Sequence, residues 1–186
     1  MKLDYLFTLI IYNLKKILIV FELHKYISFR EEMRFVKSIS EIEEIIRKLD
    51  HHIADDFEAQ DLDFKQWNTR CREENVQKMI RYTVCMANGG GGSVVFGVAD
   101  NIQGIDNVLL GIPFDIDIHE LQKRIAENTV PSLTPTFDEL FYKNHSIRLL
   151  IMNVSPGIGT YTTTDGTAVI RTGKECLPYK IIKEDE

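Results

Sequence analysis

The sequence predicts an α+β fold: a single domain with a mixed, mostly antiparallel sheet packed by helices, preceded by an N-terminal helical extension. Three observations predict it. A helical apolar period runs from Arg34 to Leu49, a long helix passes through a glycine block into the buried strand Ser93–Ala99, and the last third is dense in hairpin signals. A chain of 186 residues has room for one domain with a sizeable core and is short for two.

Residues 1–37 read as the extension, 38–52 as a helix and linker, and 53–182 as the domain itself. In the extension, the apolar runs Tyr5–Tyr12 and Ile17–Phe21 flank Asn13, Lys15 and Lys16. Two central lysines are costly in a bilayer, so membrane contact by residues 1–23 is not expected. A signal peptide would begin basic and end in small residues, and neither feature is present. A helix lying on a membrane or partner and upstream sequence foreign to the natural protein both stay open, with Met33 as a second start. Beyond it, Ser40 and Glu43 have capping-box spacing, and Ile42, Ile45, Ile46 and Leu49 form the buried stripe. His51 and His52 read as exposed linker.

Asp61–Trp67 alternates polar and apolar residues as a half-buried strand does. Glu73–Asn88 is the long helix, with Val76, Met79, Ile80, Thr83, Val84 and Ala87 on its buried face. The block Asn88, Gly89, Gly90, Gly91, Gly92 and Ser93 ends it, since glycine accepts the left-handed backbone of helix termini. A short strand at Asn107–Leu110 and a helix at Asp115–Asn128 follow, and Pro131 and Pro135 stop that helix. Two hairpins close the domain: Thr136–Tyr142 with Ile147–Val154, and Tyr161–Thr164 with Thr167–Arg171 around Asp165-Gly166.

Composition narrows the function. Hydrophobic residues at 44% exclude wholesale disorder. The net charge of −6 divides into +3 before Ser38 and −9 after it, so the domain lacks the broad basic footprint of a non-specific nucleic-acid binder. Any nucleic-acid contact must use a local patch, a partner or a metal ion. Cys71, Cys85 and Cys176 are odd in number and contain no C-x-x-C pair. That argues against a disulfide framework and a zinc site, and for a reducing, cytoplasmic location with Cys85 as a buried helix residue.

The chemistry gathers at Glu58–Lys65 and Asn88–Asp100. The glycine block lies between helix and strand with no following lysine, so it is neither a Walker A loop nor a dinucleotide fingerprint. It reads as a tight turn, with phosphate contact by its amides as the alternative. Glu58 and Asp63 bracket one strand start and Asp100 ends the next strand. Carboxylates converging there could hold Mg²⁺ or Mn²⁺, and a metal so held could activate water at a phosphodiester. Lys65 is placed to meet a phosphate as a point charge. Arg171, at a strand end, could bind a phosphate bidentately or pair with one of these carboxylates.

Together, Glu58-Ala-Gln-Asp-Leu-Asp63-Phe-Lys65, Met86-Ala-Asn-Gly-Gly-Gly-Gly-Ser93, Val95-Phe-Gly-Val-Ala-Asp100, Val130-Pro131 and Ala168-Val-Ile-Arg-Thr-Gly173 resemble the Schlafen/AlbA-like domain family, motif by motif and in order. The resemblance covers about two-thirds of the chain. It implies a nucleic-acid-binding domain, regulatory or accessory, on DNA or RNA. In bacterial members a divergent ATP-binding label is common; ATP is not expected here, and Gly89–Ser93 would be its loop. In vertebrate Schlafen proteins three carboxylates cleave tRNA or rRNA, and their spacing matches Glu58, Asp63 and Asp100. The resemblance thus also implies a divalent-metal-dependent endoribonuclease as the alternative. Asp63 stands where the family has Glu, one methylene shorter, and Gly89 where Thr or Ser is common. A homo-oligomer is compatible with all of these readings.

Overall fold

The computed structural model describes residues 35–180, so the expectations for residues 1–34 lie outside the described residues. The first helix, α1 (Ile39–Lys48), is closed by a capping box. Ser38 Oγ accepts from Glu41 N at 3.3 Å, and Ser38 N donates to the Glu41 carboxylate at 2.7 Å. The box therefore sits two residues before the expected Ser40 and Glu43. Both serines have the right spacing, but the earlier start buries Ile42, Ile46 and Leu49 together.

Strand β1 (Leu62–Lys65) passes through α2 (Arg72–Asn88) into the parallel strand β2 (Gly92–Phe96). A helical turn α3 (Ile105–Val108) stands where a strand at Asn107–Leu110 was expected. Val108 and Leu109 are buried while Leu110 is exposed, and Leu109 keeps an isolated bridge to Val98. Helix α4 (Ile118–Glu127) is capped by Asp117, whose carboxylate accepts from His119 N at 2.8 Å. The short strand β3 (Thr129–Val130) follows, and β4 (Thr136–Tyr142) and β5 (Ile147–Val154) form the expected hairpin.

The main sheet has the order β1-β2-β5-β4, with one parallel pair, so the mixed, mostly antiparallel expectation holds. Alternation along the strands divides the core in two. Leu62, Phe64, Val95, Leu149 and Ile151 face α1, and Val94, Phe96, Leu150 and Met152 face α2 and α4. Asp63 and Lys65 alternate with Leu62 and Phe64 on an edge strand, which places them on the α2 side.

The expected second hairpin is rearranged. Asp165-Gly166 does form a turn, with Gly166 N donating to Thr163 O at 2.9 Å. The strands beside it pair elsewhere: β6 (Thr162–Thr163) with β3, and β7 (Val169–Thr172) with β8 (Glu175–Pro178). The turn signal was local, whereas burial of Val169 and Arg171 fixes β7 against α2. Cys85 on α2 and Cys176 on β8 form a disulfide, Cα to Cα 5.8 Å, across 91 residues. This corrects the argument against a disulfide drawn from the number and spacing of the cysteines. Cys85 is indeed buried, and Cys71 alone of the three is free. Among the described residues no helix is long and apolar enough to cross a membrane.

Candidate nucleic-acid interface

The site begins with the strand register. β1 puts Asp63 under the β7–β8 hairpin with no exposed surface, and the hairpin inserts Arg171 onto it. The Arg171 guanidinium pairs with the Asp63 carboxylate and also donates to Ala59 O (2.9 and 3.2 Å) and Leu62 O (3.0 Å). Its four hydrogen bonds are all directed inward, and 2% of the residue is exposed. The expected phosphate contact by Arg171 is thereby corrected: it takes the alternative role, ion pairing with a nearby carboxylate. A buried charge requires such pairing.

Lys65 takes the other Asp63 oxygen as an ion pair, lies 3.3 Å from Glu58 Oε1, and donates to Phe64 O at 2.8 Å. Its ammonium stands 5.4 Å from the centre of the Tyr82 ring. Burial pushes the Lys65 pKa down, but the Asp63 charge and hydrogen bond, with Tyr82 and Glu58, outweigh it and raise it, so Lys65 stays charged. Glu58 accepts from Phe64 N at 3.1 Å. Burial first, then the charge and a hydrogen bond of Asp63, raise its pKa. Asp100 follows β2, and its main-chain carbonyl accepts from Asp55 N at 3.3 Å. Burial, then Glu58 and Asp55, raise the Asp100 pKa against the pull of Lys65. Its Oδ1 is buried with no hydrogen-bond partner.

The three expected carboxylates thus share one neighbourhood, but its centre is held by the ammonium of Lys65. Among the described residues no three His, Cys, Asp or Glu side chains are arranged to hold a metal ion. Asp63 has an Arg on one oxygen and a Lys at the other, which leaves a divalent ion without the oxygen ligands it needs. In this arrangement the residues do not fit Mg²⁺ or Mn²⁺.

The glycine block works as a turn. Gly91 N donates to Met86 O at 2.8 Å across a left-handed Gly90 (φ 100°), the Schellman closure of a helix. Gly89 and Ser93 amides also donate internally, to Cys85 O and Met86 O (3.0 Å each) and to Asp61 O (2.9 Å). A side chain at Gly89 would place its Cβ 2.4 Å from that of Arg171. Ser93 Oγ bridges strands by bonding Asn153 Oδ1 at 2.7 Å and accepting from Lys37 N at 3.1 Å. Asn88 clamps the C-terminal segment, donating to Tyr161 O (2.9 Å) and Val169 O (2.8 Å) and accepting from Tyr161 N (2.8 Å). Gln60 does the same from the other side, to Gly89 O, Arg171 O and Gly173 N, each 2.8 Å.

Beside the carboxylates opens a groove of about 540 Å³, lined by Lys65, Lys78, Arg81, Tyr82, Lys174 and Cys176 among others. A second, polar groove of about 570 Å³ shares Lys78 and adds Gln66, Asn68 and Arg70. The partners of the lining cations differ. Lys78 pairs with Glu74 at 2.8 Å and Lys174 with Asp55 at 3.0 Å. Arg70 and Arg81 are exposed and carry no ion pair among the described residues. Sequence reasoning found Lys65 but missed Lys78, Arg81 and Lys174. Lys78 and Arg81 do stand three apart on one helix, a spacing that shares a face.

No curated protein matches the chain. The crystal structure of the DIP2311 protein from Corynebacterium diphtheriae is similar in fold, with a TM-score of 0.57 and 21% identity over 76% of this chain. The match spans 29% of that longer protein. The model of the family described as Schlafen, AlbA_2 matches residues 58–180, from Glu58 through the β7–β8 hairpin. The chain belongs to the Schlafen, AlbA_2 family.

Proposed function

We propose that this domain binds the phosphodiester backbone of a nucleic acid along the groove between α2 and the β7–β8 hairpin, as a regulatory or accessory module. One observation carries the reading. In a region whose charge is −9 after residue 37, Lys65, Lys78, Arg81 and Lys174 line one groove. Clustered cations on an otherwise acidic surface mark a local site, because the negative charge elsewhere repels phosphate. Family membership supports a nucleic-acid-related role at the coarse level, and the groove supplies the surface for it. Arg81 meets a phosphate oxygen with a guanidinium unpaired among the described residues, Lys78 and Lys174 add point charges, and Tyr82 lines the floor.

The cleavage alternative would draw on Glu58 and Asp100, whose pKa values burial raises, but no metal-dependent step follows from carboxylates centred on an ammonium. Fluorescence anisotropy with labelled single-stranded RNA and duplex DNA tests the binding reading. Arg81→Glu should abolish binding, while Lys143→Glu, on the β4–β5 turn, should leave it unchanged. Equal affinities for the two variants would overturn the assignment of the groove.

A further inference from the structure

The two strands of the hairpin that walls the groove are held very differently. β7 is anchored on several sides: Val169 lies in the core, Arg171 on Asp63, and the Val169 and Arg171 carbonyls on Asn88 and Gln60. β8 pairs with β7 alone, and its residues other than half-buried Cys176 are exposed. Gln60 holds the turn at Gly173, and beyond it two side-chain ties reach the outer arm: exposed Lys174 on the Asp55 carboxylate and carbonyl, and the disulfide to Cys85. An exposed ion pair is a weak tie, with a typical worth of about 0–1 kcal/mol. The covalent tie therefore governs where Lys174, Cys176 and Leu177 stand, and all three line the groove. Its other end, Cys85, is fully buried on α2, one turn beyond Arg81 and Tyr82.

We propose that the Cys85–Cys176 disulfide is a redox clamp on the groove wall, so that affinity for nucleic acid follows the thiol–disulfide state of this pair. The inference rests on the groove reading above. The reductant is a dithiol. Its thiolate attacks Cys176 Sγ, the sulfur that reaches the groove, and forms a mixed disulfide while Cys85 leaves as a thiolate and takes up a proton. The second thiol of the reductant then displaces Cys176, which is protonated in turn. Two electrons and two protons pass to the protein, and the reductant departs as a disulfide. Cys85 stays in the core as a small apolar side chain, while β8 loses its link to α2. With the wall no longer fixed, the binding-competent arrangement is a fraction of the population, and apparent affinity falls by that fraction.

The test uses the full chain purified without reductant. Intact-mass counting of iodoacetamide-labelled cysteines in denaturant should find one label, on Cys71, before dithiothreitol treatment and three after it. Anisotropy titration with a labelled single-stranded oligonucleotide should show binding weakened about 5- to 10-fold on reduction, with the salt slope reduced by about 0.7 as Lys174 loses its place. Reoxidation should restore both. Cys176→Ser should match the reduced protein and ignore dithiothreitol, and Cys71→Ser should behave as wild type. Three labels after oxidation with diamide would overturn the clamp, as would equal affinities in two states of verified labelling. Absence of binding in both states would overturn the groove reading itself, and the clamp with it.

Discussion

Arg171→Met removes the guanidinium from the most enclosed charged contact among the described residues, while its long apolar side chain retains most of the volume. The variant leaves Asp63 fully buried with Lys65 as its remaining cation, and leaves the Ala59 and Leu62 carbonyls without their donors. Breaking a buried pair from one side costs about 3–5 kcal/mol. The surviving Lys65 ion pair offsets part of the charge left on buried Asp63, so the expected cost is about 3 kcal/mol, near the lower end. For a chain of this size that corresponds to a fall in Tm of about 6–12 °C. Urea unfolding followed by circular dichroism measures it. A double variant, Asp63→Leu with Arg171→Met, removes both charges, and its destabilisation should fall below the sum of the two single changes. A loss under about 1 kcal/mol for Arg171→Met, or strict additivity, would refute the account of a paired buried charge holding the hairpin.

Three further outcomes are expected. Asp100 holds its proton to higher pH in the folded state than when unfolded, so the folded state binds more protons between the two pKa values and stability falls as pH rises through that window. Asp100→Asn should therefore be more stable than wild type near about pH 7, with the difference closing as the pH drops into the ordinary carboxylate range; thermal melts across that range would expose a wrong sign. Asn88→Ala deletes two donors and an acceptor to Tyr161 and Val169, and should cost about 2–3 kcal/mol in urea unfolding. Gly89→Ala forces a Cβ against that of Arg171 and should cost about 1–3 kcal/mol or more, whereas an indifferent variant would contradict the close approach.

The sequence disclosed what is local. Helix α2, its glycine terminus and the β4–β5 hairpin follow from period and turn chemistry, and the structure reproduces Thr136–Tyr142 and Ile147–Val154 residue for residue. What depends on distant partners was hidden. Asp165-Gly166 signals a turn whether or not its flanking strands pair, and β6 and β7 found β3 and β8 instead. Cys85 and Cys176 lie 91 residues apart, and no spacing rule joins them. Arg171 at a strand end resembles a phosphate ligand until the strand is known to be covered. The carboxylates were found because Glu58, Asp63 and Asp100 sit at adjoining strand termini; that Lys65 would stand at their centre could not be read from alternation alone.

The salt dependence of nucleic-acid binding tests the central claim most directly. If Lys78, Arg81 and Lys174 each neutralise one phosphate, with Lys65 committed to the carboxylates, log affinity against log salt should fall with a slope of about −2.1 on single strands and about −2.7 on duplex DNA. Lys78→Ala combined with Arg81→Ala should reduce the single-strand slope by about 1.4, with weaker binding at every salt concentration. A slope that the double variant leaves unchanged, or wild-type protein that binds neither RNA nor DNA at low salt, would contradict the groove as the nucleic-acid site.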